Sequence, residues 1–177
     1  PKITDEAIRE LYAKLDEIQD GDTLVLAGSI PSSLPADIYE RILERLSGKK
    51  IRAVVDATKD LLLNVLKYRP FLIKPNNFEL GEIFGVEMKS AEDIVKYAGK
   101  LKEMGAQNVL VSMAGDGAVL LDENGKTHVC GVCRGKVKNS VGAGDSMVAG
   151  FLAGYLSSQN YETAFQTGLA AGSASAF

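Results

Sequence analysis

The chain has 177 residues, 46% hydrophobic and 24% charged, with a formal net charge of −3. That is enough apolar material for one domain with a sizeable core, and its scattered lysines and arginines exclude a surface built for nucleic acid or an anionic membrane. No apolar run approaches the roughly 20 residues of a membrane-spanning helix, no secretory leader opens the sequence, and two cysteines do not make a disulfide framework, so a soluble cytoplasmic protein is expected. The opening at Pro1 and the close at Ala174-Ser175-Ala176-Phe177, inside a small-residue helical run, lead us to expect part of a longer polypeptide.

Helical spacing of Ile8, Leu11, Tyr12, Leu15 and Ile18 predicts a first helix, with Thr4 as N-cap and Asp5 and Glu6 in the first turn. Thr23–Ala27 is a nearly continuous apolar run, expected as a strand buried on both faces and ended by Gly28-Ser29-Ile30-Pro31. A helix with Ile38, Tyr39, Ile42, Leu43 and Leu46 on one face leads to a strand at Ile51–Val55, ending at Asp56. A helix around Leu61–Leu66, a strand Phe71–Ile73, the segment Lys74-Pro75-Asn76-Asn77 and a short helix through Leu80 and Ile83 follow. Ser90, with Asp93 three residues on, caps a helix to about Met104, and Val109–Val111 is the next strand. Ala118–Leu121 and Thr127–Val137 read as β structure joined by a turn at Asp122-Glu123-Asn124-Gly125. Helices from Gly142 to Leu156 and from about Thr163 close the chain. The alternation implies a three-layer α/β/α sandwich around a mostly parallel sheet. Such sheets bind ligands at the carboxyl ends of their strands, which here lead into Gly28-Ser29, Asp56-Ala57-Thr58, Lys74 to Glu79 and Ser112 to Gly117.

The most informative segment is Gly142-Ala143-Gly144-Asp145, directly before an amphipathic helical run. Small residues let consecutive N–H groups point into one space, and a helix N-terminus adds unpaired donors and positive partial charge, a combination suited to a phosphate. Asp145 is the only acid in the loop, placed to accept a proton from a substrate hydroxyl. The plainer alternative is a Gly-rich turn with Asp145 as an early-helix acid that favours the dipole.

With its flanks, Gly142-Ala143-Gly144-Asp145-Ser146-Met147-Val148-Ala149-Gly150-Phe151 resembles the C-terminal signature of the ribokinase-like (PfkB) carbohydrate kinases. Further segments resemble the branch of 1-phosphofructokinases and tagatose-6-phosphate kinases. They are Ala27–Tyr39, Ile73–Leu80, Val111–Ala118 and Gly172–Phe177, so the likeness covers the whole chain, residues 1–177. The resemblance implies that Asp145 is the catalytic base and that the amides of Gly142, Ala143 and Gly144 hold the transferring phosphate. It implies ATP at Ser112, Met113, Ala114, Gly115, Asp116 and Gly117, with Gly144, Asp145, Lys74 and Asn76 completing the nucleotide site. Asn76 and Glu79, one turn apart at a helix start, would hold a hydrated Mg²⁺ through oxygen ligands and water; a simple capping box is the alternative, and beside the anion-hole signature the metal–phosphate role is preferred. Lys74 reads equally as a phosphate contact or as a strand-end surface lysine. The family usually carries Gly where Ala114 stands, so a positive φ there would strain the loop.

Cys130-Gly131-Val132-Cys133 near His128, the one histidine, has too few ligands for a zinc site and reads as strand rather than a helix N-terminus. We expect both cysteines to be ordinary buried or half-buried strand residues. The resemblance implies a sugar-phosphate kinase acting on fructose 1-phosphate, with tagatose 6-phosphate as the alternative acceptor, and a homodimeric full-length protein. The family's sugar-binding Gly-Gly motif and β lid belong to an N-terminal portion this chain lacks, so the segment alone is expected to be inactive; Ser29 and Asp56 border the acceptor site by position only. A chemically silent nucleotide-binding module would show a damaged base or anion hole, and neither is damaged. A dinucleotide-binding oxidoreductase is disfavoured because no Gly-x-Gly-x-x-Gly follows the first strand.

Overall fold

Local capping sets the first helix as expected. In a computed structural model, which describes residues 3–131 and 133–177, the Thr4 hydroxyl oxygen accepts from the Ala7 N–H at 3.2 Å and helix α1 spans Asp5–Asp16. Ile18 lies past its end. The sheet holds β1 (Thr23–Ala27), β2 (Arg52–Asp56), β3 (Leu72–Ile73), β4 (Asn108–Ser112), β5 (Ala118–Leu121) and β6 (Thr127–Cys130), side by side in that order. The first four strands are parallel; β5 and β6 return antiparallel, joined by the turn at Asp122–Gly125. Helices α2 (Ile38–Arg45), α3 (Lys59–Leu63), α4 (Asn77–Phe84), α5 (Ala91–Glu103), α6 (Ala143–Ser158) and α7 (Tyr161–Ala176) complete the chain.

Successive strand residues point to opposite faces, and the core divides accordingly. Val55, Ile73, Val109 and Val111 pack with Leu15, Ile42, Leu62, Leu80 and Leu101 on one side. Val54, Leu72, Leu110 and Leu120 pack with Phe151, Leu152, Phe165 and Leu169 of α6 and α7 on the other. This is the expected three-layer α/β/α sandwich with a mostly parallel sheet. Among the described residues no helix is long and apolar enough to cross a membrane.

Three local expectations fail for tertiary reasons. β1 is not buried on both faces: it is an edge strand, and Val25 stays 44% exposed because the core on the α6–α7 side begins only at Val54 of β2. The helix around Leu61–Leu66 splits into α3 and a single 3₁₀ turn, Leu66–Tyr68, closed by Arg69 in the left-handed region. β6 stops at Cys130 instead of running to Val137, and Cys130 and Cys133 are both exposed and free; Val132 between them lies outside the described residues. The inward position of β6 belongs to His128.

His128 is a satisfied core residue. Its Nε2 lies 3.0 Å from the Asp122 carboxylate, and the other Asp122 oxygen accepts from the N–H groups of Asn124 and Lys126 at 3.0 and 2.9 Å. The Lys102 ammonium donates to the Asp122 carbonyl. Burial pushes the Asp122 carboxyl up, but His128 and the two N–H donors together hold it below the ordinary carboxylate value. A lowered folded-state pKa contributes stability that is complete above the ordinary value of 3.8 and is lost as pH falls through the folded value. Asp122→Asn is therefore expected to cost about 1–3 kcal/mol at neutral pH and to narrow its deficit below that carboxylate range, read by urea denaturation across pH. A deficit independent of pH would exclude the linkage.

Candidate active site

The four parallel strands deliver their carboxyl ends, and the loops after them, to one side of the sheet, where α4 and α6 begin. Asp56 closes β2. Lys74 follows β3, and its N–H donates to the Val55 carbonyl at 3.2 Å, which extends the ladder by one residue. The side chain is no surface lysine: the residue is 7% exposed, and its ammonium lies 3.2 Å from an Asp56 carboxylate oxygen. A Cβ placed on Gly144 would stand 3.1 Å from Lys74 Nζ and 3.4 Å from its Cε, so the lysine runs directly beneath the first turn of α6. Burial raises the Asp56 carboxyl above its ordinary value against the pull of Lys74, and the nearby charges of Glu79 and Asp145 raise it further. The structure thus gathers Asp56, Lys74, Glu79 and Asp145, from three separate stretches of sequence, into one electrostatic cluster.

The turn into α6 is built without a side-chain cap. Gly142 is the N-cap with φ 79°, a left-handed conformation, and its carbonyl accepts from the Ser146 N–H at 2.9 Å. The Asn139 side chain accepts from the Val141 N–H at 3.0 Å, and the Ala143 N–H donates to the Ser140 carbonyl at 3.1 Å. The expected donor trio of Gly142, Ala143 and Gly144 therefore changes in this geometry. Ala143 is already engaged, and the N–H groups without an acceptor among the described residues are those of Gly142, Gly144 and Asp145. The Asp145 side chain is exposed in that same first turn.

At α4 the capping alternative is realised in full. Asn76 Oδ1 accepts from the Glu79 N–H at 2.9 Å, and Glu79 Oε2 accepts from the Asn76 N–H at 2.8 Å. This leaves Asn76 Nδ2 and Glu79 Oε1 without a protein partner among the described residues, and the free carboxylate oxygen is the atom a hydrated divalent cation would use. No group of three or more His, Cys, Asp or Glu side chains suited to a metal occurs among the described residues. A magnesium ion that keeps most of its waters needs no such group.

Ser112 stands beside Asn76, its N–H donating to the Pro75 carbonyl at 3.2 Å across an isolated parallel bridge. Met113 is half-buried against the core, whereas Ala114, Gly115 and Asp116 form an exposed 3₁₀ turn. Ala114 has φ 49°, so the strain foreseen at this position is present. Gly117, at φ 95°, admits no side chain: a Cβ there would fall 2.0 Å from the Cys130 carbonyl oxygen. No hydrogen bond among the described residues joins this loop to the α6 turn.

Sequence reasoning took Tyr39 as core and missed a second task. Its hydroxyl donates to the Ala27 carbonyl at 2.8 Å and lies 3.2 Å from that of Gly28, which fixes the exit of β1. Burial, and secondly Asp56, push its phenol up. No periodicity in the sequence could have revealed a bond made by the far end of a core side chain.

A model of the pfkB family carbohydrate kinases matches residues 2–177. The chain belongs to this family. A 1-phosphofructokinase of Bacillus subtilis is 49% identical over 177 residues, which is 100% of this chain and 58% of that protein. A D-tagatose-1-phosphate kinase of Bacillus licheniformis is 35% identical over 178 residues, again 100% of this chain and 58% of that protein. The crystal structure of phosphofructokinase-2 from Escherichia coli in complex with fructose-6-phosphate aligns with TM-score 0.89 at 28% identity, over 99% of this chain and 57% of that one. The chain thus spans 58% of the length of these two curated relatives.

Two outcomes test the geometry. Ala114→Gly, by relieving a left-handed residue, is expected to stabilise the chain by about 1 kcal/mol in thermal or urea unfolding. Asp56→Ala leaves the Lys74 ammonium buried without its partner and is expected to cost about 3 kcal/mol, most of it recovered in Asp56→Ala/Lys74→Met. Strict additivity of the two single losses would rule out the pairing.

Proposed function

We propose that residues 1–177 form the nucleotide-binding and catalytic part of an ATP-dependent sugar-phosphate kinase, acting as a 1-phosphofructokinase that converts fructose 1-phosphate to fructose 1,6-bisphosphate. The observation that carries this reading is the exposed Asp145 carboxylate in the same helical turn as the free N–H groups of Gly142, Gly144 and Asp145, with the Lys74 ammonium beneath. In this reading ATP supplies the γ-phosphoryl group and leaves as ADP, and Mg²⁺ would supply positive charge against the phosphates. Asp145 takes the proton of the attacking sugar hydroxyl. The free N–H groups of the turn receive the charge of the transferring group, an effect of about 3 kcal/mol per well-placed donor. Lys74 adds a fixed positive charge, and Glu79 Oε1 and Asn76 are the residues that would hold the metal, through its waters. Ser112 to Gly117 take the nucleoside end of ATP, where a backbone without long side chains permits close approach.

The family and the 1-phosphofructokinase relatives support the acceptor. Relatives named for D-tagatose 1-phosphate support a second reading, a tagatose phosphate, through the 1-phosphate rather than the 6-phosphate ester. The intact base and donor turn weigh against a silent nucleotide-binding module. A cytoplasmic homodimer is the state this reading carries for the whole polypeptide; the Escherichia coli relative has also been solved in a tetrameric inhibited form. The chain alone is expected to lack acceptor-dependent turnover.

The deciding assay is ATP consumption by the whole polypeptide that contains residues 1–177, with fructose 1-phosphate, tagatose 1-phosphate and tagatose 6-phosphate. One sugar should be turned over, and Asp145→Asn should lower that rate about 10²–10⁴-fold while ATP still binds. Undiminished turnover in the variant would remove Asp145 as the base.

A further inference from the structure

Between Glu123 and Asp145 the sequence holds no acidic residue and four cations, Lys126, Arg134, Lys136 and Lys138, in a chain whose net charge is negative. Lys126 reaches Glu162 at 3.4 Å. Arg134, Lys136 and Lys138 are exposed, and none of them makes an ion pair among the described residues. These three are therefore not part of a scattered, self-compensating surface charge. Crowding like charges within five residues is unfavourable in the free molecule.

The described backbone that carries them is anchored at three points. At one end the Cys130 carbonyl and Gly131 press on Gly117 of the loop after β4. In the middle Gly135 lies against the Phe177 ring, where a Cβ would come within 2.3 Å. The N–H groups of Lys138 and Asn139 then donate to the Ala176 carbonyl at 2.8 and 3.2 Å. The end of α7 is itself fixed on the start of α6, since a Cβ on Gly172 would stand 3.0 Å from the Ala143 carbonyl oxygen. A stretch with three unpaired cations thus runs from the nucleotide-side loop at Gly117 to the donor turn at Gly142, and ends on three unpartnered N–H groups.

We propose that Arg134, Lys136 and Lys138 form a cationic approach that draws the polyphosphate of a nucleotide toward the α6 turn. This deepens the phosphotransfer reading and rests on it. The three side chains act at a distance through their field, which is screened over about 8 Å at physiological salt. They raise affinity and association rate without touching the reacting atoms.

The test measures binding of ATP, and of adenosine as an uncharged control, to the whole polypeptide that contains residues 1–177 and to its Arg134→Gln/Lys136→Gln/Lys138→Gln variant across ionic strength. The expected result is an about tenfold weaker ATP affinity at low salt, convergence at high salt and unchanged adenosine affinity. Circular dichroism and the melting temperature report whether the variant keeps its fold, and the single reversal Lys136→Glu provides a second, less extensive change with the same expected direction. Equal ATP affinity of the whole polypeptide and its variants at every ionic strength overturns the approach and leaves the kinase reading standing. An equal loss for adenosine likewise overturns it. Absence of ATP binding by the unaltered whole polypeptide overturns both.

Discussion

An ammonium placed against the positive end of a helix is electrostatically unfavourable, yet Lys74 occupies that position beneath Gly144. It is tolerated because Asp56 stands 3.2 Å away and supplies the opposite charge. That one arrangement constrains much of the surrounding structure. It has β2 and β3 ending side by side and leaves little room for a side chain at residue 144. It also brings α6 in with its amino terminus over the sheet. Asp56 itself resists ionisation through burial, and Glu79 and Asp145 add further negative charge to the same cluster. An arriving phosphate would meet the helix end and a lysine that Asp56 already engages.

The same logic of local cost against site geometry recurs in the loop after β4. Ala114 adopts a left-handed conformation that glycine would occupy more easily. The turn is nonetheless held closed: the Met113 N–H donates to the Gly117 carbonyl at 2.8 Å, and Gly117 is wedged under the Cys130 carbonyl. Tertiary packing thus over-determines a conformation that the sequence disfavours by a small margin. On the other face α6 and α7 approach closely at Gly150 and Gly172, which carries the start of α6 to the level of the strand ends.

What was legible in the sequence follows the range of the interaction. The caps at Thr4, Ser90 and Asn76 join atoms three residues apart, so residue type and spacing suffice to place them. The alternation of helices and strands gave the layered fold, because burial on two faces leaves a periodic trace. The Gly142–Asp145 turn was recognisable as a small-residue helix start, but not which of its amides are free; that depended on Ser140 folding back to Ala143. The Lys74–Asp56 pair joins residues 18 positions apart at the ends of different strands, and sequence left the lysine open between a phosphate contact and a surface role. The exposure of Val25 and of the two cysteines was invisible for a related reason: a strand's composition does not say whether it lies at an edge.

The exposure of Asp145 bears on the chemistry its position implies. A carboxylate open to water can activate water as readily as an alcohol, and a nucleotide held at this turn would then be hydrolysed rather than used to phosphorylate a sugar. Selectivity for the alcohol requires the acceptor to be oriented at the carboxylate and solvent to be displaced from around it. The described residues provide the charge and the donors for the phosphate, but above Asp145 and Gly142 they leave the turn open, with Val141 84% exposed beside it. Anion recognition and acceptor discrimination are thus physically separate in this architecture. The former rests on strand ends and helix termini. On the proposed reading the latter depends on what covers α6 when a sugar is bound, so nucleotide binding and transfer to an alcohol would be separable.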